Sequence, residues 1–274
     1  MLFGEPHLPE RLRLGPIARA LSGYDVICVQ ESFLDSVADF LAELADRLGM
    51  MLWHDRMLPH IRERSPFGGG LAILAPQPLD VVFEPFAVRA SGFDAWACKG
   101  FASCDMRTAS GARYRVVNLH LQSDDPKQYP ALYGQARAAQ LSVLLDALDR
   151  SGEPRPTVVC GDLNVQEGSD EYHQVLLPSM RDRGFVDVAE GLGLVTYAPG
   201  KNALLARLDP HAPDVRIDYV WTRDAGEHRW RVLDAPRLIL SEPLVPDADE
   251  RAGSVPLFAS DHFGIGVDLA LEGT

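Results

Sequence analysis

The sequence predicts a mixed α/β fold built as one domain. Apolar segments of strand length alternate along the chain with amphipathic segments of helical length, a pattern typical of helices packed outside sheets. No repeat, low-complexity tract or long linker divides the 274 residues. Apolar residues make up 46% of the chain, which is enough for a sizeable core without disulfides. We therefore expect residues 1–274 to form a single domain.

The first half of the chain predicts two helices and several strands. One helix is indicated by "ERLRLGPIARALSG", which ends at Gly23, and a second by residues 34–48. In the second helix, Val37, Leu41 and Leu44 recur at helical spacing on one face. Strands are expected at "YDVICVQE", "GLAILA", "DVVFEPFAV" and "GARYRVVNLHL".

The second half of the chain continues this alternation. An amphipathic helix is predicted at "YGQARAAQLSVLLDALDR", a strand at "TVVCGD" and a shorter helix near residues 169–177. The remaining strands are expected at "RIDYVWT", around "RVLDAPRLIL" and at "FGIGVDLAL". Periodicity does not fix the number of sheets, so these segments predict the fold class but not the architecture.

The formal net charge of −13 weakens the case for two classes of partner. Nucleic-acid-binding faces and polybasic membrane anchors both need clustered Lys and Arg, because each contact with a phosphate adds affinity. A metal site can still be locally positive on an acidic protein. The charge therefore makes both partners less expected without excluding them. No apolar run approaches the ~20 residues of a membrane span.

The four cysteines predict neither a zinc site nor a disulfide framework. Cys28 and Cys160 lie inside apolar strand-like segments, where a thiol behaves as a small hydrophobe. Cys98 and Cys104 flank a predicted strand, and a disulfide between them is the alternative to two free thiols.

Polar side chains stand at five predicted strand ends, where a core would not favour them. Each has an ordinary explanation when taken alone: a solvated Glu, a hydrogen-bonded core His, an Asp-x-Asn turn or a loop cap. Buried charge, however, is costly unless it is paired or binds a metal. The positions together therefore predict one functional site. Its members are Glu31, Asn118, His120, Asp162, Asn164, Asp218, Asp261 and His262.

These residue types fit the hydrolysis of a phosphoester. Glu31 and Asp261 are hard oxygen ligands suited to Mg²⁺, which uses few carboxylates together with waters and the substrate phosphate. A histidine acting as general base needs an orienting carboxylate such as Asp218, and a second histidine can protonate the leaving oxygen. Strand alternation places Asp162 and Asn164 on one side, where they would position the attacking water and the phosphate.

The ordered segments "VICVQE", "NLHLQS", "GDLN", "IDYVW" and "SDH" resemble the DNase I-like endonuclease/exonuclease/phosphatase superfamily. The resemblance implies a four-layer α-β-β-α sandwich of two packed mixed sheets. It also implies that Glu31 binds the metal, that His120 lies at the leaving-group side, and that Asp162 and Asn164 form the Asp-x-Asn pair.

The same resemblance assigns the remaining site residues. It makes His262 the general base, Asp218 its carboxylate partner and Asp261 the last carboxylate on the metal side. The implied cofactor is Mg²⁺, with Mn²⁺ or Co²⁺ as substitutes.

Finer segments resemble the neutral sphingomyelinase branch, which includes bacterial sphingomyelinase C. They are "HLQSDD" followed by "RAAQL", then "GDLNVQEGSDEYHQVL", "TYAPGKNALLA" and "GFDAWACKGF". In the last, Asp94 and Lys99 are similar to a segment near the active site of neutral sphingomyelinases, with a surface lysine as the alternative. With Asn118 they are candidate substrate-binding residues. The implied activity is a phospholipase C-type phosphodiesterase acting on sphingomyelin or a related phosphocholine lipid.

Other functions within the superfamily stay open, chiefly nucleases, inositol polyphosphate 5-phosphatases and deadenylases. A nuclease should carry a basic groove, which 26 Lys and Arg against 39 Asp and Glu do not favour. A phosphocholine headgroup needs aromatic rings and carboxylates, which Asp124, Asp125, Tyr129 and Tyr133 could supply; a polar loop with packing tyrosines is the alternative. We expect a monomer, and peripheral membrane contact stays open.

The start of the chain departs from the superfamily pattern. Members begin with a strand carrying an Asn beside the metal-binding Glu, whereas "MLFGEPHLPERLRLGPIARAL" resembles the loop and helix that follow it. We expect the domain to lack this first strand, with the Asn at or before Met1. A lipid- or phosphoester-binding protein with impaired catalysis is the alternative from another functional class. We expect a cytoplasmic location for the sequence as given, and secretion if a signal lies upstream.

Overall fold

Helices and strands alternate in the computed structural model, which describes residues 10–59, 61, 65, 67–89, 93–124, 130–150, 152–244 and 257–273. The α-helices are α1 (Glu10–Leu21), α2 (Asp35–Leu48), α3 (Pro130–Arg150), α4 (Leu177–Arg181) and α5 (Ala203–Leu208). The strands are β1 (Ile27–Val29), β2 (Met51–His54), β3 (Ala72–Ala75), β4 (Leu79–Pro85), β5 (Gly100–Arg107), β6 (Arg113–His120), β7 (Thr157–Asp162), β8 (Phe185–Asp187), β9 (Asp218–Arg223), β10 (His228–Val232), β11 (Arg237–Ile239), β12 (Gly264–Gly266) and β13 (Leu269–Gly273).

Six strands form the larger sheet, in the order β4-β5-β6-β7-β9-β8. β6 and β7 pair in parallel and the other neighbours pair antiparallel, so the sheet is mixed. A parallel pair requires a crossover, and α3 lies in the connection between β6 and β7. The ends of β6 and β7 and the start of β9 therefore lie side by side at one end of the central strands.

The facing layer consists of antiparallel ladders. β1, β3 and β2 form a three-stranded sheet in that order, while β11 pairs with β12 and β10 with β13. β1 packs on β7 and β12 packs on β9, which are neighbours in the larger sheet. Among the described residues, no ladder joins β1 to β12.

Three apolar clusters hold four layers together. α1 and α2 pack on the three-stranded sheet through residues that include Leu41 and Leu74. Ile73 and Cys104 belong to the core between the two sheet layers. α3 covers the outer face of the larger sheet, where Leu144 is fully buried. The expected α-β-β-α arrangement is thus confirmed.

Several local predictions are confirmed and others are wrong. The helix expected at 34–48 is α2, and the cysteines are free thiols. The segment "FGIGVDLAL" is not one strand, because the chain leaves β12 at Val267 and β13 then pairs with β10 rather than β11. Sequence analysis missed β2, β8 and α5, which are too short for periodicity to indicate. None of the described helices is long and apolar enough to span a membrane.

Gly161 lets β7 approach β6 closely, immediately before Asp162. Its φ is +145°, and a Cβ there would lie 2.0 Å from the carbonyl oxygen of Leu119. We predict that Gly161→Ala lowers the free energy of unfolding by about 3 kcal/mol or more, because backbone must move and φ is strained. Gly191→Ala is the control, since its φ is +73° but its surroundings are open. Urea unfolding should show a clearly smaller loss there, and equal losses would contradict this role for Gly161.

Candidate active site

Three side chains form a polar row across the ends of the central strands of the larger sheet. His120 ends β6, Asp162 ends β7 and Asp218 begins β9, and each is directly opposite the next in register. Directly opposed residues on neighbouring strands point to the same face, which brings the three side chains together. The sequence predicted all three as site residues, and the sheet explains why they meet.

His262 and Asp218 form an oriented pair. Nδ1 of His262 lies 3.0 Å from Oδ2 of Asp218, and because a carboxylate only accepts, Nδ1 carries the proton. The backbone N–H of His262 donates to Oγ of Ser260 at 3.2 Å. The ring of Tyr197 packs edge-on against the imidazole, with 5.0 Å between centroids. The imidazole is thus held in the orientation that a general base requires.

The charge state of His262 depends on its carboxylate neighbours. Burial alone would lower its pKa, but Asp218, followed by Asp162 and Asp261, raises it to about 10. A general base must be neutral to accept a proton. A cation held among these carboxylates would weaken their effect and lower the pKa of His262.

Lys99, which immediately precedes β5, joins the polar row from the side. Its Nζ lies 2.6 Å from Oδ2 of Asp94, 2.9 Å from Nε2 of His120 and 2.9 Å from the carbonyl oxygen of Leu121. These contacts use all three donors of the ammonium group. Asp94 also accepts from the N–H and Oγ of Ser123. Lys99 is 2% exposed, so the alternative of a surface lysine is wrong.

His120 is a neutral imidazole. Burial, and then the ammonium of Lys99, lower its pKa well below the ordinary value. Since Nε2 accepts from Lys99, Nδ1 carries the proton, and it has no partner in the described part of the chain. Nδ1 is buried, whereas Nε2 faces the carboxylates of the site; the role of His120 at the leaving oxygen stays a prediction.

Asp162 and Asn164 form a tight turn at the end of β7. The N–H of Asn164 donates to Oδ1 of Asp162 at 2.8 Å, and its Nδ2 donates to the carbonyl of Leu121 at 3.1 Å. Asn164 and Glu31 have φ of +52° and +59°, a left-handed conformation that costs non-glycine residues about 1–3 kcal/mol. Burial, and then the charge of Asp218, raise the pKa of Asp162 to about 7.

Glu31 and Asp261 reach the site from the facing layer. Oε1 of Glu31 lies 3.9 Å from Nε2 of His120. Asp261 accepts from Oγ of Ser260 at 3.1 Å. Burial acts to raise the pKa of Asp261, whereas the charge of His262 and this hydrogen bond act to lower it.

The donor groups fit a hard divalent cation. One ligand atom from each of Asp162, Asp218 and His262 lies within 4.8 Å of the others. Carboxylate oxygens are the ligands that Mg²⁺ prefers. Burial, and then the charge of Asp218, raise the pKa of Asp162, and a cation beside it would favour the ionised form. This group of three side chains does not include Glu31 or Asp261. Their assignment as metal ligands stays a prediction.

Asn118 lies between the two sheet layers with its amide fully engaged. Its Oδ1 accepts from Nε2 of Gln30 at 2.6 Å, and its Nδ2 donates to the carbonyls of Val29 at 3.0 Å and Ala72 at 2.9 Å. These bonds fix the end of β1, from which the chain leads to Glu31. The geometry favours a positioning role over the predicted contact with substrate.

Arg216 is a positioning residue that sequence analysis missed. Its buried guanidinium lies 2.6 Å from Oδ2 of Asp187 and 2.7 Å from Oε1 of Glu167. Because Arg216 is two residues before Asp218, this network fixes the start of β9 against the loop that follows Asn164. The basic residue beside the apolar segment "IDYVW" is the signal for it in the sequence.

Asn202 was also missed. Its Oδ1 accepts the N–H groups of Leu204 and Leu205 and thereby caps α5. Its Nδ2 donates to the carbonyls of Ser260 at 2.8 Å and Asp261 at 3.1 Å. Asn202 therefore holds the loop that carries Asp261 and His262, a contact across some 60 residues that no local pattern indicates.

The residues suggested for a choline headgroup are only partly supported. Asp124 is exposed but pairs with Arg137 at 2.7 Å. Tyr133 is 1% exposed, so its ring packs in the interior. This agrees with the alternative of a packing tyrosine rather than a headgroup contact. Asp125 and Tyr129 lie outside the described residues.

We predict that Lys99→Met raises the pKa of His120, because the nearby ammonium that opposes protonation is removed. NMR titration of the His120 ring should show protonation beginning at a higher pH than in the wild type. Lys201→Met, at an exposed lysine, is the matched control and should leave the titration unchanged. An unaltered His120 titration in a folded Lys99→Met protein would contradict the assigned contact.

Known proteins share both sequence and fold with this chain. It is 26% identical over 168 residues to sphingomyelinase C of Listeria ivanovii, covering 59% of this chain and 48% of that protein. It is 28% identical over 169 residues to sphingomyelinase C of Leptospira interrogans, covering 57% of this chain and 30% of that protein. In these matches the chain spans about half or less of the relatives' length.

Solved structures match over most of the chain at lower identity, which shows the fold. SmcL superposes with a TM-score of 0.68 at 21% identity, covering 93% of this chain and 90% of SmcL. A mutant beta toxin from Staphylococcus aureus with bound magnesium ions superposes with a TM-score of 0.72 at 19% identity, covering 96% of this chain and 93% of the toxin. D. rerio TDP2 complexed with a single-strand DNA product superposes with a TM-score of 0.67 at 21% identity, covering 96% of this chain and 93% of TDP2.

A family model described as the Endonuclease/Exonuclease/phosphatase family matches residues 4–262. That range contains the polar row, both histidines and the four carboxylates Glu31, Asp162, Asp218 and Asp261. The chain belongs to the endonuclease/exonuclease/phosphatase family.

Proposed function

We propose that the protein is a Mg²⁺-dependent phosphodiesterase that releases phosphocholine from sphingomyelin or a related lipid by a phospholipase C-type reaction. Its family and its relatives make it a hydrolase of phosphoesters. The observation that carries the proposal is the His262–Asp218 pair, set against the buried carboxylate of Asp162 and the buried imidazole of His120. The sphingomyelinase C relatives support the choice of a phosphocholine lipid.

Each side chain has a distinct part in this proposal. His262 takes the proton of the attacking water, and Asp218 orients the imidazole and stabilises the imidazolium that forms. Asp162 and Asn164 position the water and the phosphate. His120 stands on the leaving-group side of the site, and Lys99 fixes the orientation of its ring through Nε2.

Glu31 and Asp261 would hold the metal, with Asp162 close by. When bound, Mg²⁺ would polarise the phosphoryl oxygen and offset its charge. Mn²⁺ or Co²⁺ would substitute, because the donors are mainly oxygens with one imidazole nearby. The carboxylates also exclude an anionic substrate from the site until a cation is present, since their charges repel a phosphate.

Trp96 supports contact with a lipid surface. It is 65% exposed and lies on the loop between Asp94 and Lys99, next to the site. Tryptophan is favoured at membrane interfaces because its ring is apolar and its N–H is polar. We therefore propose that the ring of Trp96 enters the lipid headgroup layer when the substrate binds.

A nuclease is the second candidate, because TDP2 shares the fold and was solved with a DNA product. The net charge of −13 disfavours it, since a DNA-binding groove needs several Lys or Arg to neutralise phosphates.

We predict that the purified protein with Mg²⁺ releases phosphocholine from sphingomyelin micelles. Lysophosphatidylcholine, single-stranded DNA and double-stranded DNA are assayed in parallel, with EDTA as the metal-free control. Lipid cleavage that EDTA abolishes supports the proposal. Cleavage of DNA without lipid would overturn the substrate assignment and favour the nuclease.

We predict that His262→Ala lowers kcat by about 10²–10⁴-fold, because general base catalysis is lost. Asp218→Asn should cost less, since the imidazole remains. His211→Ala, at an exposed histidine, is the control and should retain full activity. Near-normal turnover of His262→Ala would place the base elsewhere.

The pH dependence follows from the carboxylates around His262. They raise its pKa to about 10, and a bound cation would lower it. Since the neutral ring is the active form, kcat/KM should fall as the pH drops through this pKa. The acid limb should move to lower pH as the Mg²⁺ concentration rises, and a limb that ignores Mg²⁺ would contradict the coupling.

A further inference from the structure

The chain that follows β1 makes a strained turn at Glu31, which its surroundings must hold in place. Glu31 has a φ of +59°, in the left-handed region that a non-glycine residue keeps only where neighbouring structure enforces it. The N–H of Phe33 donates to the carbonyl of Glu31 at 2.9 Å and closes a turn of three residues. Ser32, between them, is fully buried. The direction of the Glu31 side chain therefore depends on how Ser32 is bound.

Ser32 is bound on both sides by the connection between β2 and β3. Its N–H and its Oγ both donate to the carbonyl of Gly70, at 3.0 and 2.9 Å. Its own carbonyl accepts from Nε2 of His54, at 3.1 Å. Ser32 thus bridges the end of β2 and the segment immediately before β3.

His54 donates from Nε2 because its other ring nitrogen is already an acceptor. Burial lowers the pKa of His54 to about 4, so the ring is neutral. Nδ1 accepts the backbone N–H of Arg56 at 3.1 Å and therefore carries no proton. The proton lies on Nε2, which donates it to the carbonyl of Ser32. The ring is 1% exposed, so solvent does not compete for this bond.

Asp55 fixes the turn on the other side of Ser32. It is fully buried, and its carboxylate accepts the N–H groups of Gly69 and, at 3.0 Å, of Leu71. Gly70 lies between these two donors, so a fixed turn presents its carbonyl to Ser32.

Arg56 fixes the chain that follows the strained turn. It donates from Nη1 to the carbonyl of Phe33 and from Nη2 to Oδ1 of Asp35, the latter at 2.6 Å. The consecutive residues 54–56 therefore hold the segment 31–35 at successive points.

We propose that His54 is a positioning residue for Glu31. By fixing the carbonyl of Ser32, it holds the turn that directs the Glu31 carboxylate toward the polar row, where Oε1 lies 3.9 Å from Nε2 of His120. His54 acts through Ser32, so its effect falls on metal binding rather than on the proton transfers of the reaction. The inference rests on the assignment of Glu31 as a metal ligand in the proposed function.

Calorimetric titration with Mg²⁺ alone tests this inference without any substrate. His54→Asn keeps an acceptor near the position of Nδ1 but loses the donor at Nε2, so it should bind Mg²⁺ about tenfold more weakly than the wild type. His54→Gln places an amide nitrogen near the position of Nε2 and should bind within about threefold of the wild type. His211→Asn, the same change at an exposed histidine, is the control and should leave the Mg²⁺ affinity unchanged.

A merely structural role for His54 would give a different result. Urea unfolding measures the stability that His54→Asn loses, and Mg²⁺ affinity is measured under conditions in which the variant is folded. Weaker Mg²⁺ binding by His54→Asn that His54→Gln restores supports the proposal. Lower stability with wild-type Mg²⁺ affinity overturns it, as does equal weakening by both variants, because the donor would then be irrelevant.

If His54→Asn does not fold, the wild type provides the test. Coupling between two sites is reciprocal, so a bond that favours Mg²⁺ binding must itself be favoured by Mg²⁺. The Nε2 proton of His54, followed by NMR, should exchange with water about tenfold more slowly when Mg²⁺ is saturating. Unchanged exchange at saturating Mg²⁺ overturns the proposal.

Glu31→Gln separates this inference from the proposed function. It should weaken Mg²⁺ binding at least as much as His54→Asn does, because it removes the charge of the ligand itself. If Glu31→Gln binds Mg²⁺ as the wild type does, Glu31 is not a ligand, and the metal assignment of the proposed function fails together with this inference. If Glu31→Gln is weakened and a folded His54→Asn is not, the inference alone fails.

Discussion

Carboxylates crowded where β7 ends and β9 begins set the charge state of this site. Asp162 and Asp218 are directly opposite on neighbouring strands, and Glu31 and Asp261 approach from the other layer. Burial and the charge of Asp218 raise the pKa of Asp162 to about 7. Such a cluster is costly unless positive charge joins it. Lys99 and the protonated His262 supply part of that charge, and a divalent cation would supply the rest.

The scaffold distributes these charges so that each histidine has a different state. Burial, and then the ammonium of Lys99, lower the pKa of His120, whereas Asp218 raises the pKa of His262 and favours its cation. Both effects arise from the order of strands in the larger sheet. Lys99 precedes β5, next to β6, while Asp218 begins β9 at the other side of Asp162. Two histidines of one site can then hold different charge states.

Much of the site could be predicted from sequence because its members stand at strand ends. Alternation within β6 and β7 indicates which side chains share a face, and the order of segments indicates the family. The role of Lys99 could not be predicted, because its burial depends on β5 pairing with β6 across a loop. Asn118 has the strand position of a site residue, yet its amide is used between the sheets. Asn202 and Arg216 act through contacts across distant segments, which local patterns do not report.

The facing layer was harder to predict for a different reason. Its strands are mostly three to five residues long, and their partners are far apart in sequence, so neither period nor spacing identifies the ladders. Within the described residues, β1 packs on β7 and β12 packs on β9, and no ladder joins β1 to β12.

Calorimetric titration with Mg²⁺ at pH 8, in buffers that differ in ionisation enthalpy, measures whether metal binding is coupled to the charge of His262. If the carboxylates hold His262 as a cation until a metal offsets them, Mg²⁺ binding must release protons. We expect proton release on Mg²⁺ binding by the wild type and by His211→Ala, and little or none by His262→Ala. Mg²⁺ binding to the wild type without proton exchange would contradict the coupling between the metal and His262.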